Sequence, residues 1–337
     1  MNNLNNTITI SGTIGLKILE NIDKKVFIFY DDHSNNSYCE NPLNKTNKTH
    51  KFISELFDGF IDKSNQITLI LEEPFIDNNE TFKVLWQNSK HLLLFRKYYA
   101  QLMNKCSKES ICKMFPIDIR IPLFDISPDQ IIFDLAKPNI KYQIQLEKYF
   151  NKISYLFDLD LVNELNLNKI NLEEINTSII VFIKKILNTY TKSSFYKKLK
   201  LNIIDFYKKF IIKNKNMTIY QMILNASKQV TTNFSNYQVG YPFNSNSHEN
   251  FIDQITKISS GIMELYMIII MLYSSKKNIM VYAGFYHSNN IAYILENIYK
   301  FNPIYQSGFT DNVETDYVHG KDNNCIQVDA RQFNFIL

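Results

Sequence analysis

Five short segments of the chain combine apolar residues with turn-forming residues at their ends. Three of them, at 26–30, 67–71 and 279–283, are apolar almost throughout rather than at alternate positions. Such runs favour strands that are covered on both faces, as in a mostly parallel sheet. We predict strands at about 25–30, 67–72, 116–121, 278–283 and 325–329.

Apolar residues at helical spacing lie between these strands. The spacing predicts helices at about 49–62, 85–106, 254–275 and 288–300. Strands and helices therefore alternate at both ends of the chain, which is typical of layered α/β folds. We expect an α/β protein with a mostly parallel sheet flanked by helices.

The middle of the chain differs from both ends, because residues 137–235 contain few Gly or Pro and repeat a helical spacing. We interpret 137–249 as a helical insertion, so that 1–136 and 250–337 form the two parts of one α/β core. Residues 184–215 carry ten lysines and one acidic residue. These lysines either line the solvated faces of amphipathic helices or bind an acidic partner, a membrane surface or nucleic acid.

Composition narrows the class of protein. With 337 residues, 45% of them hydrophobic and 21% charged, the chain is typical of a folded globular protein. A net charge of +4 is too small to indicate a nucleic-acid partner. Neither a signal peptide nor an apolar run of bilayer length is present, which predicts a cytoplasmic protein. In that compartment we expect free cysteine thiols rather than a local Cys106–Cys112 disulfide.

Reactive side chains occur where four of the predicted strands end. They are Asp31, Asp32 and His33 after the first strand, Glu72 and Glu73 after the second, Asp118 and Arg120 in the third, and His287 after the fourth. Because the carboxyl ends of parallel strands meet at one edge, we expect a shared site there. The chain has three arginines against 34 lysines, which favours a bidentate role for Arg120 with an anionic group or an oxyanion.

Histidines grouped with carboxylates support hydrolysis in two ways. They can bind a divalent ion such as Mn, Co or Zn, which activates water. Alternatively, a histidine oriented by Asp32, Glu72 or Glu73 acts as a general base. Only one of the two adjacent glutamates can face the site, because neighbouring residues of a strand point to opposite faces. The candidate metal ligands at the strand ends are His33, His287, Asp31 and Asp118.

Several sharper motifs are absent. No GxSxG, GxxxxGK[ST] or GxGxxG occurs, so we expect neither a serine nucleophile nor a phosphate-binding loop of those kinds. Asp31-x-His33 resembles the first motif of calcineurin-like metallophosphoesterases. The later GDxxD and GNH blocks of that family are missing here.

Three features together resemble a known superfamily: Asp32-His33 after the first predicted strand, Glu72 or Glu73 after the second, and a late GxxH that ends at His287. This superfamily comprises erythromycin esterases, haem-binding ChaN-like proteins and TraB/TIKI proteins. Residues 261–296 are also similar to uncharacterised proteins of large nucleocytoplasmic DNA viruses. In those proteins an acidic residue that matches Glu264 precedes a YAGxxH turn. The resemblance covers about 26–125 and 253–300.

The resemblance implies an α/β fold, Glu264 as a further metal ligand, and haem as a less favoured cofactor. The chain departs from the esterases at Asp32, where they have Glu. We expect a hydrolase of a small-molecule or peptide substrate, with His33 and His287 at its centre. The alternative is a catalytically inactive viral structural or host-interaction protein, in which these histidines are structural and the lysine-rich insertion binds an acidic partner.

Overall fold

The computed structural model describes residues 7–31, 50–53, 55–57, 59, 67–74, 112–119, 140–159, 178–208, 251–310 and 325–333. The chain divides into two units. The first comprises Met1–Ile117 and Ile270–Leu337, and the second comprises Asp118–Ile269. The predicted insertion at 137–249 falls within the second unit, and its bounds stay a prediction.

Strands and helices are numbered here in chain order. The strands are β1 (Thr7–Ser11), β2 (Gly15–Glu20), β3 (Lys25–Asp31), β4 (His50–Phe52), β5 (Ile67–Pro74), β6 (Cys112–Asp118), β7 (Asn278–Gly284), β8 (Asn302–Gly308) and β9 (Cys325–Asp329). The α-helices are α1 (Ile140–Phe157), α2 (Ser178–Asn188), α3 (Ser194–Phe206), α4 (Phe251–Tyr273) and α5 (Phe285–Asn297).

The larger sheet has the order β6-β5-β7-β3-β2-β8. Its centre is parallel, because β7 pairs in parallel with β3 on one side and with β5 on the other. Strand β2 pairs antiparallel with both β3 and β8. Helix α5 packs against β3, β7 and β2. The fold is therefore α/β, with a mixed sheet whose central strands are parallel.

The smaller sheet has the order β4-β1-β9. Strand β1 pairs in parallel with β4 and antiparallel with β9, with Thr7 opposite Asp329. One hydrophobic cluster contains side chains from both sheets, and the rings of Phe27 and Phe333 stack in it at 5.9 Å. The strand residues of this core are Ile8, Ile10, Leu16, Ile18, Phe27, Phe29, Ile67, Leu69, Leu71, Met280, Tyr282, Ile326 and Val328. Along each of these strands they occupy alternate positions, which is the pattern of a face packed on a core.

The connection from β1 to β2 requires glycine at position 15. A Cβ atom there would lie 2.0 Å from the carbonyl oxygen of Phe309. The Thr13 hydroxyl lies 2.8 Å from the Tyr30 carbonyl oxygen, which holds this connection against the end of β3. The close approach of three backbone segments therefore excludes a side chain at Gly15.

Helices α1, α2 and α3 belong to the second unit, together with most of α4. Helices α1 and α2 contact each other, and the rings of Phe150 and Phe206 stack at 6.1 Å. The Tyr149 and Ser259 hydroxyls lie 3.1 Å apart in the interior. Burial raises the pKa of the Tyr149 hydroxyl, and it raises that of Tyr266 to about 12.

Four of the five predicted strands are confirmed as β3, β5, β7 and β9, and the predicted helices at 254–275 and 288–300 are confirmed as α4 and α5. The strand predicted at 116–121 lies instead at 112–118. It extends through Pro116 because β6 is the terminal strand of its sheet, where a missing N–H is tolerated. The predicted helix at 85–106 lies outside the described residues.

Two further expectations need correction. In the segment predicted as a helix at 49–62, residues 50–52 form strand β4, because backbone pairing with β1 overrides the local helical pattern. Residues 53, 55–57 and 59 are helical, as predicted. The sequence predicts free cysteine thiols in general, but Cys325 is disulfide-bonded. Among the described helices, none has the length and apolar character that a membrane span needs.

Candidate active site at the carboxyl ends of the parallel strands

Strands β5, β7 and β3 bring their carboxyl ends to the same edge of the sheet. Asp31 pairs with Gly284 at the ends of β3 and β7, and Leu71 pairs with Tyr282 on the other side of β7. Glu72 follows Leu71 directly. The register therefore places Asp31, Glu72 and the start of helix α5 at one edge, where ligands bind in open α/β sheets.

His287 is placed by an abrupt change from strand to helix. Strand β7 ends at Gly284, α5 begins at Phe285, and His287 is the third residue of the helix. The Ser288 hydroxyl lies 2.9 Å from the Ala283 carbonyl oxygen and 3.2 Å from the Phe29 carbonyl oxygen. These two contacts join the first turn of α5 to both β7 and β3. They hold His287 at the strand ends, where it is 6% exposed.

The Glu72 carboxylate contacts both the backbone and the side chain of this turn. Its Oε2 accepts a hydrogen bond of 2.6 Å from the Gly284 N–H. Its Oε1 lies 3.5 Å from Nε2 of His287, and both side chains are 7% exposed. A negative charge at the start of a helix is favourable, because the helix dipole is positive there. The carboxylate is thus held in place by the fold, beside the imidazole.

The distance between Glu72 and His287 is long for a hydrogen bond but suits two ligands of one metal ion. Two ligands about 2.1 Å from a tetrahedral ion lie about 3.4 Å apart. Imidazole and carboxylate are donors that Zn and Mn accept. Among the described residues, no group of three or more His, Cys, Asp or Glu could hold a metal ion. The pair would therefore supply two ligands of a metal site, and the described residue Asp31 does not complete a group of three with it.

Aromatic rings surround this edge. The rings of Tyr30 and Phe285 are 5.6 Å apart, and the Tyr286 ring packs edge-on against His287 at 5.2 Å. Asp31, at the end of β3, is 1% exposed. Charged side chains at this edge are therefore shielded from bulk water, which strengthens their electrostatic interactions.

The predicted site residues fall into three groups. Glu72 and His287 lie together, and Asp31 ends at the same edge. Asp118 and Glu264 are buried residues of the second unit. Asp32, His33 and Arg120 lie outside the described residues, as does the side chain of Glu73.

Two groups at this edge were not among the predicted site residues. The first is the Gly284 N–H, which binds Glu72, and the second is the Ser288 hydroxyl, which holds the start of α5. A serine directly after a histidine in a first helical turn is a detectable signal, because small polar side chains favour contacts with nearby backbone groups. The backbone donor has no side-chain signal in the sequence.

Comparison of this chain with protein-family models, with curated proteins and with solved structures finds no match. The resemblance to the erythromycin esterase, ChaN-like and TraB/TIKI superfamily therefore stays a prediction.

Proposed function

We propose that this protein is a hydrolase whose reaction takes place at the carboxyl edge of β5, β7 and β3. The observation that carries the proposal is the buried contact of Glu72 with both Gly284 and His287. A carboxylate beside an imidazole is the arrangement by which proteins orient a histidine for proton transfer. The substrate would be a small molecule or a peptide with a hydrolysable carbonyl group.

In a metal-free reaction, His287 is the general base. Glu72 faces Nε2, which favours the tautomer that carries its proton there and has its lone pair on Nδ1. Nδ1 then accepts a proton from a water molecule as the water oxygen attacks the substrate carbonyl. The imidazolium that forms is stabilised by the carboxylate, and Arg120 would stabilise the negative oxygen of the intermediate. The imidazolium then gives its proton to the leaving oxygen or nitrogen, as the bond to that atom breaks and the carbonyl group forms again.

In a metal-dependent reaction, Glu72 and His287 would hold the ion together with Asp32 or His33, and Asp31 stays a proposal in this role. A bound divalent ion supplies a water molecule whose pKa falls toward neutrality. Asp118 and Glu264, proposed as ligands from the sequence, stay proposals in this role. Haem is a less favoured cofactor, and its presence would be visible as a Soret band on titration.

Four further expectations from the sequence form part of this proposal. They are membership of the superfamily named above, a helical insertion at 137–249, a viral source and a cytoplasmic location. The catalytically inactive interaction protein is the second candidate function, favoured by the exposed lysines of helices α2 and α3.

The experiment combines metal analysis with a screen for hydrolysis. Purified wild type, His287→Ala and His33→Ala are measured by inductively coupled plasma mass spectrometry after incubation with Mn, Co or Zn. The same proteins are assayed on panels of esters and peptides. Tyr293→Ala is the matched control, because Tyr293 is an exposed residue of the same helix.

We expect wild type and Tyr293→Ala to hydrolyse a substrate, and His287→Ala to lose about 100-fold or more in kcat. One equivalent of metal, lost in both histidine variants, assigns the metal-dependent reaction. Hydrolysis without metal assigns the general-base reaction. Folded His33→Ala and His287→Ala variants that both keep full activity would show that the proposal is wrong.

A further inference from the structure

Helices α2 and α3 of the second unit present lysines and apolar side chains to solvent. The described part of this region, 178–208, contains seven lysines, and two of them are engaged within the unit. Lys184 pairs with Asp158 at 2.6 Å and lies over the Tyr155 ring at 4.0 Å. Lys200 donates a hydrogen bond of 2.7 Å to the Phe157 carbonyl oxygen. The other five are exposed: Lys185, Lys192, Lys197, Lys198 and Lys208.

Helix α3 is amphipathic, with an unusual exposed face. Its buried residues are Phe195, Tyr196, Leu199, Ile203 and Phe206. On the opposite face, Leu201 is 59% exposed. Lys197 and Lys198 precede it by one helical turn, and Lys208 follows by two turns on the same face. Asp205 is the acidic residue on this face.

Helix α2 repeats the same combination. Val181 and Phe182 are exposed by 38% and 43%, and Lys185 is their neighbour one turn further along. Each helix therefore places large apolar side chains in water beside lysines. We call the exposed lysines and apolar residues of these two helices and of the residues next to them the lysine face: Val181, Phe182, Lys185, Lys192, Lys197, Lys198, Leu201 and Lys208.

We propose that the lysine face binds the surface of a membrane that contains anionic phospholipid. Lysines attract anionic headgroups, and adjacent aliphatic and aromatic side chains enter the boundary between headgroups and acyl chains. Nucleic acid offers phosphates but gives no role to an exposed Leu201 or Val181.

The test is co-sedimentation of the full chain with vesicles of phosphatidylcholine alone or mixed with phosphatidylserine. The lysine-face variant is Lys197→Gln/Lys198→Gln/Leu201→Asn. The matched control is Lys277→Gln/Lys300→Gln/Ile22→Asn, which removes two exposed lysines and an apolar residue that is 97% exposed, all in the first unit. Circular dichroism establishes that both variants fold.

We expect wild type and the control to bind the anionic vesicles, more weakly at high salt, and not the neutral ones. Each lysine removed should weaken binding about fivefold, so the lysine-face variant should lose binding by more than tenfold. Equal binding of wild type and the lysine-face variant would overturn the proposal, as would equal loss in the control. Binding of wild type to labelled duplex DNA or polyglutamate, but not to anionic vesicles, would also overturn it.

Discussion

The two ends of the parallel strands β5, β7 and β3 both carry polar contacts to a helix, and their chemistry differs. At the amino ends, the helix is α4, which finishes at Tyr273 beside the start of these strands. The Lys24 ammonium donates to the Ser274 carbonyl oxygen, and the hydroxyls of Thr68 and Ser274 lie 2.5 Å apart. A cation at the carboxyl end of a helix is favourable for the helix dipole.

At the carboxyl ends, the helix is α5, and the contacting groups are the Glu72 carboxylate and the His287 imidazole. Glu72 accepts a hydrogen bond at the start of a helix, just as Lys24 donates one at the end of another. The difference lies in the imidazole, because its ring nitrogens can donate a hydrogen bond, accept one or bind a metal ion, whereas an ammonium group can only donate. Among the side chains that the structure describes at the two edges, those at the carboxyl edge alone combine a structural contact with a group suited to proton transfer or metal binding.

Replacing Glu72 should have the largest effect on the molecule. Glu72→Ala leaves the buried Gly284 N–H without its acceptor, so the free energy of unfolding should fall by about 2 kcal/mol. Hydrolysis should fall by about 100-fold or more, because His287 loses its orienting carboxylate. Urea unfolding and kinetic assays measure the two effects.

The conservative variant Glu72→Gln separates these two effects. Its amide oxygen can accept from the Gly284 N–H, so we expect stability within about 1 kcal/mol of wild type. Hydrolysis should stay as low as in Glu72→Ala, because the charge is missing. Full activity in Glu72→Gln would show that the carboxylate is only a helix cap, like the groups at the amino edge.

Ser288→Ala should have the next largest effect. The Ser288 hydroxyl joins the start of α5 to carbonyl oxygens of both β3 and β7 in a fully buried position. We expect its loss to lower the free energy of unfolding by about 1.5 kcal/mol. The matched control is Ser307→Ala, which removes a hydroxyl-to-carbonyl contact of 2.6 Å at an exposed position. An equal effect of the two substitutions would contradict a special role for Ser288.

The parallel centre of the sheet could be predicted because its strands carry their signal locally. Strands β3 and β7 are buried on both faces, and their continuous apolar runs reflect that burial. Strand β1 also has a local signal, the alternation of Thr and Ile in TITIS, which indicates a half-buried strand. Its pairing with β9, more than 300 residues away, has no such local signal.

Strands β2 and β8 could not be predicted in the same way. Lys17 interrupts the apolar run of β2, and this buried ammonium group pairs with Glu296 of α5 at 2.7 Å. Strand β8 contains Pro303 and many exposed residues, because it is the terminal strand of its sheet. The Lys17–Glu296 pair for β2 and the terminal position in the sheet for β8 both depend on residues distant in sequence. The local sequence therefore does not indicate either strand.

The candidate site also has features with a local sequence signal and features that depend on distant contacts. The positions of Asp31, Glu72 and His287 at strand ends could be predicted, because the strands and their ends have local signals. The contact of Glu72 with Gly284 could not, because it depends on the pairing of β5 with β7. That tertiary contact also identifies Glu72 as the glutamate of the Glu72-Glu73 pair that faces His287.

At the amino edge, Thr68→Val should lower the free energy of unfolding by about 1 kcal/mol, since it removes a buried hydroxyl but keeps the shape of the side chain. Metal content and hydrolysis should not change, because this contact lies at the opposite end of β5 from Glu72. Unfolding and activity measurements on one preparation give both results. If activity falls by more than the loss of stability can explain, the two edges are coupled.

The smallest effect should be the pH dependence contributed by Lys24. Burial lowers the pKa of the Lys24 amine below its ordinary value of 10.5, and the nearby Asp23 carboxylate opposes part of that shift. Well below the folded-state pKa, both folded and unfolded chains carry the proton, and the cost of burying the charge is complete. As pH rises toward 10.5, the folded chain loses this proton before the unfolded chain does, so the cost falls.

The free energy of unfolding of wild type minus that of Lys24→Met should therefore increase as the pH rises toward 10.5. We expect an increase of roughly a few tenths of a kcal/mol, because Lys24 is only partly buried and solvent screens its charge. The same measurements on Lys277→Met, which removes an exposed amine, report any general effect of alkaline solution. A difference that falls with pH would mean that the charged form of Lys24 stabilises the end of α4. The Lys24 ammonium would then be a stronger helix cap than its burial suggests, and the amino edge would also depend on a titrating group.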